Sequence, residues 1–301
     1  MDRAVAGFRR HGALYLMAVP VALYYIVFHY GPMYGAVIAF KDFDISKGIW
    51  GSTWVGFKHF TDFFSSFYFW RILRNTVLLS LYQLLWGFPA PILLALLLNE
   101  IRHVRFRRFI QTASYLPHFI SMVVACGMLV DFCSRDGVIT GLLAAVGIPP
   151  VNLLTQPGNF RTVYVASGIW QEAGWGAIIY LAALSGIDVQ LYEAAVIDGA
   201  GRMRKLLSVT IPGIMPTVVL MFLLHVGRIM SLGFEKIILL YNPNTYETAD
   251  IISSFVYRKG LGEGFQFSFT AAVGLFSSVI NLTLVVAANA VSRRVNQTSL
   301  W

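Results

Sequence analysis

Three ionisable side chains stand inside stretches otherwise apolar enough for lipid: Glu172 in "ASGIWQEAGWGAIIY", and His225 and Arg228 in "VVLMFLLHVGRIMSLGF". Such groups are costly at membrane depth and are kept where they meet a cavity, a partner or a cargo. Glu172 and His225 have the chemistry of an acid or base, while Arg228 offers a planar, two-pronged donor array suited to carboxylates. Gln83 and Gln171 add neutral hydrogen-bonding groups, and Trp86, Trp170 and Trp175 add flat apolar faces on which a sugar ring can stack. Together these residues describe a lined path for a hydroxyl-rich or acidic cargo such as an alginate fragment. The plainer reading is that Glu172 pairs with Arg228 or a neighbouring subunit and that the tryptophans pack.

Catalytic patterns are missing from the sequence. A phosphate-binding loop needs glycines followed by Lys and Ser or Thr to hold phosphates and magnesium, and no G-x-x-x-x-G-K-[ST] string occurs. "GLGEG" at 260–264 has the glycines without the lysine and reads as an ordinary loop. Neither H-E-x-x-H nor G-x-S-x-G is found. Cys126 and Cys133 lack metal-site spacing and read as buried thiols. No catalytic residue, metal ligand or bound cofactor is therefore expected in this chain.

A second cluster of charge lies in "EAAVIDGAGRMRKLLSVTIPGIMP", residues 193–216, between two apolar segments. Asp188 is placed to cap a short helix over Val189–Asp198 by accepting from its first free amides. Gly199 and Gly201 permit a turn, and a second helix is expected from Arg202 to Pro212, where proline resets the chain. Ala194 and Ala195 are small beside Leu191, Tyr192 and Glu193, so another surface can approach closely. Arg202, Arg204 and Lys205 sit at a helix start, where the dipole disfavours cations. Lipid head groups or an acidic protein groove would compensate them.

The elements that position these residues are membrane spans. The chain is 57% hydrophobic and 13% charged, against about 25% charged in soluble domains. A crossing helix needs about 20 apolar residues, and six stretches qualify: 13–36, 75–98, 113–132, 163–184, 212–234 and 269–291. The first has Arg3, Arg9 and Arg10 before it, yet its apolar run exceeds a signal core and has no convincing cleavage site, so it reads as a retained helix. Six spans put both termini on one side, and that side carries 12 of the 23 Lys and Arg. By the bias of short loops, this is the cytoplasm. The same division among membrane-flanking loops accounts for the chain's +8 charge without nucleic acid. The outward segments are 37–74, 133–162 and 235–268; the first is rich in aromatic residues suited to the lipid interface or a partner. Pro20, Pro89, Pro91 and Pro117 predict bent spans. No inverted repeat or soluble domain is visible, and one all-α, polytopic domain over 1–301 is expected, with a charged module at 186–216.

The module resembles the cytoplasmic signature of permease subunits of binding-protein-dependent ABC importers: E-A-A, three residues, G, nine residues, then I-x-L-P. Here these are Glu193-Ala194-Ala195, Gly199 and Val209-Thr210-Ile211-Pro212. Resemblance extends to "GPMYGAVIAFKDF" at 31–43, "GIWGSTWVGFKHF" at 48–60 and "GFEKIILLYNPNTYETADIISSFVYR" at 233–258, similar to the branch importing complex oligosaccharides. The resemblance implies a bacterial inner-membrane protein paired with a second permease. Two cytoplasmic ATPases would hold ATP and magnesium, and an extracytoplasmic solute-binding protein would deliver cargo. It further implies that Leu191, Tyr192, Glu193, Ala194, Ala195, Asp198 and Gly199 belong to a coupling helix seated in an ATPase cleft. A membrane glycan or lipid enzyme and an ion-coupled carrier are the alternatives, and both leave the signature unexplained.

Overall fold

The computed structural model describes residues 12–227, 233–262 and 264–296. Helix dominates, and the one sheet among the described residues pairs Lys41–Asp42 with Thr53–Trp54, antiparallel. Four helices are long and apolar enough to cross a membrane: Leu16–Phe40, Tyr68–Glu100, Arg202–Val226 and Phe267–Arg293. Two bent pairs, Val104–Phe119 with Met122–Phe132 and Pro157–Ser185 with Val189–Ile197, bring the count to six if each is one span. In the second pair, Pro157–Ser185 has 29 residues and rises about 44 Å at 1.5 Å per residue, beyond the ~30 Å of hydrocarbon. Val189–Ile197 is therefore free to turn away from it, which it does by 68°.

The chain divides into two compact units. One comprises residues 1–66 and 258–275. Its described first span is exposed along nearly its whole length, as expected of a helix that faces lipid or another chain. After it, Phe40 stacks on Trp54 at 5.7 Å, Ser268 Oγ accepts from the Phe43 amide at 2.9 Å, and buried Phe63 meets Phe269 edge-on.

The other unit, 67–257 with 276–301, contains the spans that carry the candidate sites. One apolar cluster gathers Leu79, Cys126, Leu129, Phe160, Val165, Ile237 and Ile251; a second gathers Ala95, Ala177, Tyr180, Leu184 and Ile214. Cys126 and Cys133 are buried free thiols. The fourth span comes unusually close to its neighbours where it lacks side chains. A Cβ on Gly174 would stand 2.0 Å from the Ser114 carbonyl oxygen, and one on Gly176 would stand 3.1 Å from Pro91.

Prolines shape the spans in two ways. Three π-turns, Ile26–Tyr30, Gln83–Gly87 and Leu206–Thr210, each end two residues before a proline: Pro32, Pro89 and Pro212. Widening the turn moves aside the carbonyl that the proline ring would strike and absorbs its missing donor. The helix from Arg202 accordingly runs through Pro212 to Val226 without resetting, so the expected boundary at that proline is corrected. At Pro117 the outcome is the opposite. A short 3₁₀ turn, Leu116–Phe119, is followed by extended Ile120, and the third span bends by 101°.

Candidate functional site

The charged module is built mainly from local rules. Asp188 accepts from the Gln190 amide at 2.9 Å and starts the helix Val189–Ile197, with Asp198 as its C-cap. Gly199 then takes φ +74°, where a side chain is strained. Gly201 has an ordinary extended conformation and caps the next helix at Arg202. Two tertiary contacts brace the module on the fifth span. The Tyr192 hydroxyl lies 3.0 Å from buried Thr210 Oγ1, and the Ile187 side chain fills the space a Cβ on Gly213 would need.

Tyr192 and Ala195 are half-buried, whereas Leu191, Glu193, Ala194, Asp198 and Gly199 are exposed. So are Val189, Val196, Met203, Leu207 and Ile197, the last at 86%. Exposed apolar side chains close in sequence to charge are a feature of docking faces.

The second site forms where the third span breaks. Bending at Ile120 strands its carbonyl, and buried Gln171 on the fourth span donates Nε2 to it at 3.3 Å. A neighbour thus satisfies the backbone freed by the break, as a membrane interior demands. The break also carries His118 to the fourth span, where its Nδ1 donates to Glu172 Oε2 at 3.0 Å. Its ring lies flat on Trp175, with centroids 4.5 Å apart and planes 3° from parallel, and Phe119 meets Trp175 edge-on. Glu172 and Trp175 remain exposed, so a carboxylate and an aromatic face are presented side by side.

The other predicted path residues are dispersed. Gln83 folds over Gly87, whose Cβ would strike its amide, and lies near Gly168 of the fourth span. His225 sits 5.7 Å from the Phe88 ring. Trp170 lines an apolar cavity of about 460 Å³ with Met128, Phe132 and Leu143, while Trp86 is exposed on its π-turn. Arg228 lies outside the described residues.

Two residues were missed by sequence reasoning. His118 follows Pro117 and gave no signal by itself, since its partner is 54 positions away. Lys236 is buried in a segment assigned to an outward loop; its Nζ donates to the Tyr164 carbonyl at 3.0 Å and lies 4.9 Å from that ring's centroid. The run "FEKIILL" around it was the available clue. Among the described residues, no group of three or more His, Cys, Asp or Glu is arranged to hold a metal.

A bundle of apolar, span-length helices with an exposed, braced charged module is what a membrane transport subunit presents, and comparison with known proteins gives its family. Residues 87–297 match the family model of the binding-protein-dependent transport system inner membrane component. The chain belongs to that family: it is a multi-pass inner-membrane permease of an ABC importer and not an enzyme. It is similar to Protein LplB of Bacillus subtilis (strain 168), with 41% identity over 99% of this chain and 93% of that protein. It is also similar to the polygalacturonan/rhamnogalacturonan transport system permease protein YteP of the same organism, at 43% over 96% and 90%. A chain of a bacterial ABC transporter involved in importing the acidic polysaccharide alginate superposes with a TM-score of 0.90 at 43% identity, covering 98% of this chain and 99% of that one. A chain of a bacterial alginate ABC transporter in complex with an alginate pentasaccharide-bound periplasmic protein superposes equally, with a TM-score of 0.90 at 42% identity.

Proposed function

We propose that this permease imports oligosaccharides, acidic ones by preference, alongside a second homologous permease. Two cytoplasmic ATPases holding ATP and magnesium drive it, and an extracytoplasmic solute-binding protein supplies it. The chain acts as one permease domain over 1–301 with both termini cytoplasmic. The similarity to transporters of polygalacturonan and alginate supports an acidic cargo.

The observation that carries the coupling role is the pairing of an exposed apolar face on Val189–Ile197 with a brace beneath it. Leu191, Glu193 and Ala194 meet the ATPase cleft. Tyr192 and Ala195 face back toward the fifth span, and Asp198 and Gly199 end the helix and turn the chain. When the ATPases close, displacement of the module passes through Tyr192–Thr210 and Ile187–Gly213 into Arg202–Val226. A rigid span transmits this displacement and changes which side of the path is open.

The path itself is lined by Gln83, Glu172, Trp175, His225 and Arg228, with His118 beside Glu172 and Gln171 fixing the break. Trp175 supplies a stacking face, Glu172 accepts from sugar hydroxyls, and Arg228 receives carboxylates. Lipid surrounds the spans.

The test is ATP-dependent uptake of labelled acidic and neutral oligosaccharides by the full assembly in vesicles, native against Glu193→Arg. The variant is expected to assemble and to lose ATP-driven uptake. Unchanged uptake, or uptake without ATP, would defeat the coupling reading.

A further inference from the structure

The second unit holds a basic cavity that neither site explains. About 500 Å³ in volume, it is lined by Arg71, Arg74 and Arg161, with Phe67, Trp70 and Glu247 at its wall. Its residues come from the N-terminal turns of the second and fourth spans and from the turn Tyr246–Ala249. In the topology proposed above, all of these are at the extracytoplasmic side. Inward charge bias therefore gives no reason for three arginines there.

Arg161 and Arg71 are held in place, and none of the three cations is neutralised. Arg161 Nη2 donates to Asn75 Oδ1 at 2.8 Å, and the Asn75 amide is itself fixed by the carbonyls of Glu247 and Asp250 at 2.8 and 3.1 Å. Arg71 lies over the Tyr68 ring, 4.9 Å from its centroid. The Nε atoms of Arg71 and Arg161 are buried without a hydrogen-bond partner. Arg74 and Arg161 repel one another, and none of the three forms an ion pair with Glu247 or any other described carboxylate. Buried donors and converging like charges without an anion cost stability unless a ligand completes them.

We infer that this cavity is an entry subsite that takes the carboxylate of a uronate residue as an acidic oligosaccharide enters the path. Guanidinium groups fixed by Asn75 and Tyr68 present forked donors matched to a planar carboxylate. Exposed Phe67 and Trp70 offer apolar faces to the pyranose ring. The volume suits a ring-sized ligand, whereas a carboxylate on a docking protein surface needs no such concavity. The inference rests on the acidic-cargo reading and adds a place where the acid is read before the spans are crossed.

The test uses the complete assembly in proteoliposomes, with its binding protein loaded to equal saturation by a uronate pentasaccharide or by the carboxyl-reduced counterpart. Arg74→Gln, Arg71→Gln and Arg74→Lys are compared with the native chain; Arg74 is exposed and bonds to nothing that shapes the fold. Each Gln variant is expected to raise the half-saturating concentration for uronate uptake about tenfold or more, with Arg74→Lys intermediate and uptake of the reduced sugar unchanged. Equal loss for both sugars would make the cavity a protein-docking site and overturn the inference. So would an unchanged uronate response, or a loss confined to vesicles containing anionic lipid. If the native assembly moves neither sugar with ATP, the importer reading fails; if it moves both equally, the acidic-cargo premise fails. Either result removes the subsite with it.

Discussion

The charged module and the break in the third span, both proposed above to serve transport, are built by different physics. The module depends on local geometry: an aspartate cap, one left-handed glycine and a short exposed helix, tied to the fifth span by one hydrogen bond and one packed side chain. The break depends on distant residues: Gln171 satisfies Ile120, Glu172 meets His118, and Gly174 admits the Ser114 backbone. A locally built element can shift as a unit on its brace, while a wall made by close approach of spans has little room to deform. That contrast fits the two proposed roles, a moving joint and a shaped path.

The contrast is broken most severely at Gly174. Any side chain there collides with the backbone at Ser114, which has nowhere to retreat within a packed interior. Gly174→Leu is expected to cost about 3 kcal/mol or more, seen as loss of monodisperse permease and a collapsed thermal transition. Gly201→Ala in the module, with an unstrained φ and open space around it, should cost about 1 kcal/mol or less. Equal sensitivity of the two would remove the distinction.

A sharper test leaves the fold alone. His118→Phe keeps a ring against Trp175 but gives Glu172 no donor. Since the pair is partly exposed, stability should move by about 1 kcal/mol or less, while uptake should fall about tenfold if the pair shapes the cargo's path. Unfolding midpoint and uptake, measured on the same preparation, separate these effects. A large stability loss with proportionate uptake would make His118 a packing residue.

In the module, Gly199→Ala forces a side chain into the left-handed region at a cost of about 1–2 kcal/mol. Its expected signature is a weakened response of ATP hydrolysis to the loaded binding protein, with cargo affinity unchanged. Loss of cargo affinity instead would tie the turn to the path.

The two regions also differed in how much the sequence disclosed. Asp188, Gly199 and the E-A-A spacing act over a few residues, so cap, turn and helix were legible with the C-terminal end off by a single position. The apolar stretches could be read because hydropathy is also a local sum; four are single span-length helices, and the count reaches six if each bent pair is one span. The stacking of His118 on Trp175 was not legible, since it depends on how far the third span bends at Pro117 and on the partners that catch Ile120. The same holds for Lys236 and for the three arginines, whose meaning arises only when distant elements converge. Proline was ambiguous for a related reason. A π-turn precedes Pro212 and the helix continues through it, whereas none precedes Pro117 and the helix ends there.

A single-hydroxyl substitution tests the joint itself. Tyr192→Phe removes one hydroxyl and leaves Thr210 bonded to the Lys205 carbonyl at 3.4 Å, so the stability cost should be about 1 kcal/mol. If the Tyr192–Thr210 contact carries displacement into the fifth span, cargo imported per ATP hydrolysed should fall although ATPase activity and assembly persist. If that ratio is unchanged, the load passes through Ile187 and Gly213. Gly213→Ala would then disturb it, because the added methyl must displace the Ile187 tip from 2.7 Å. A ratio insensitive to both substitutions would mean that the module moves the fifth span only through the covalent turn at Gly199–Gly201, and the brace would hold position without transmitting motion.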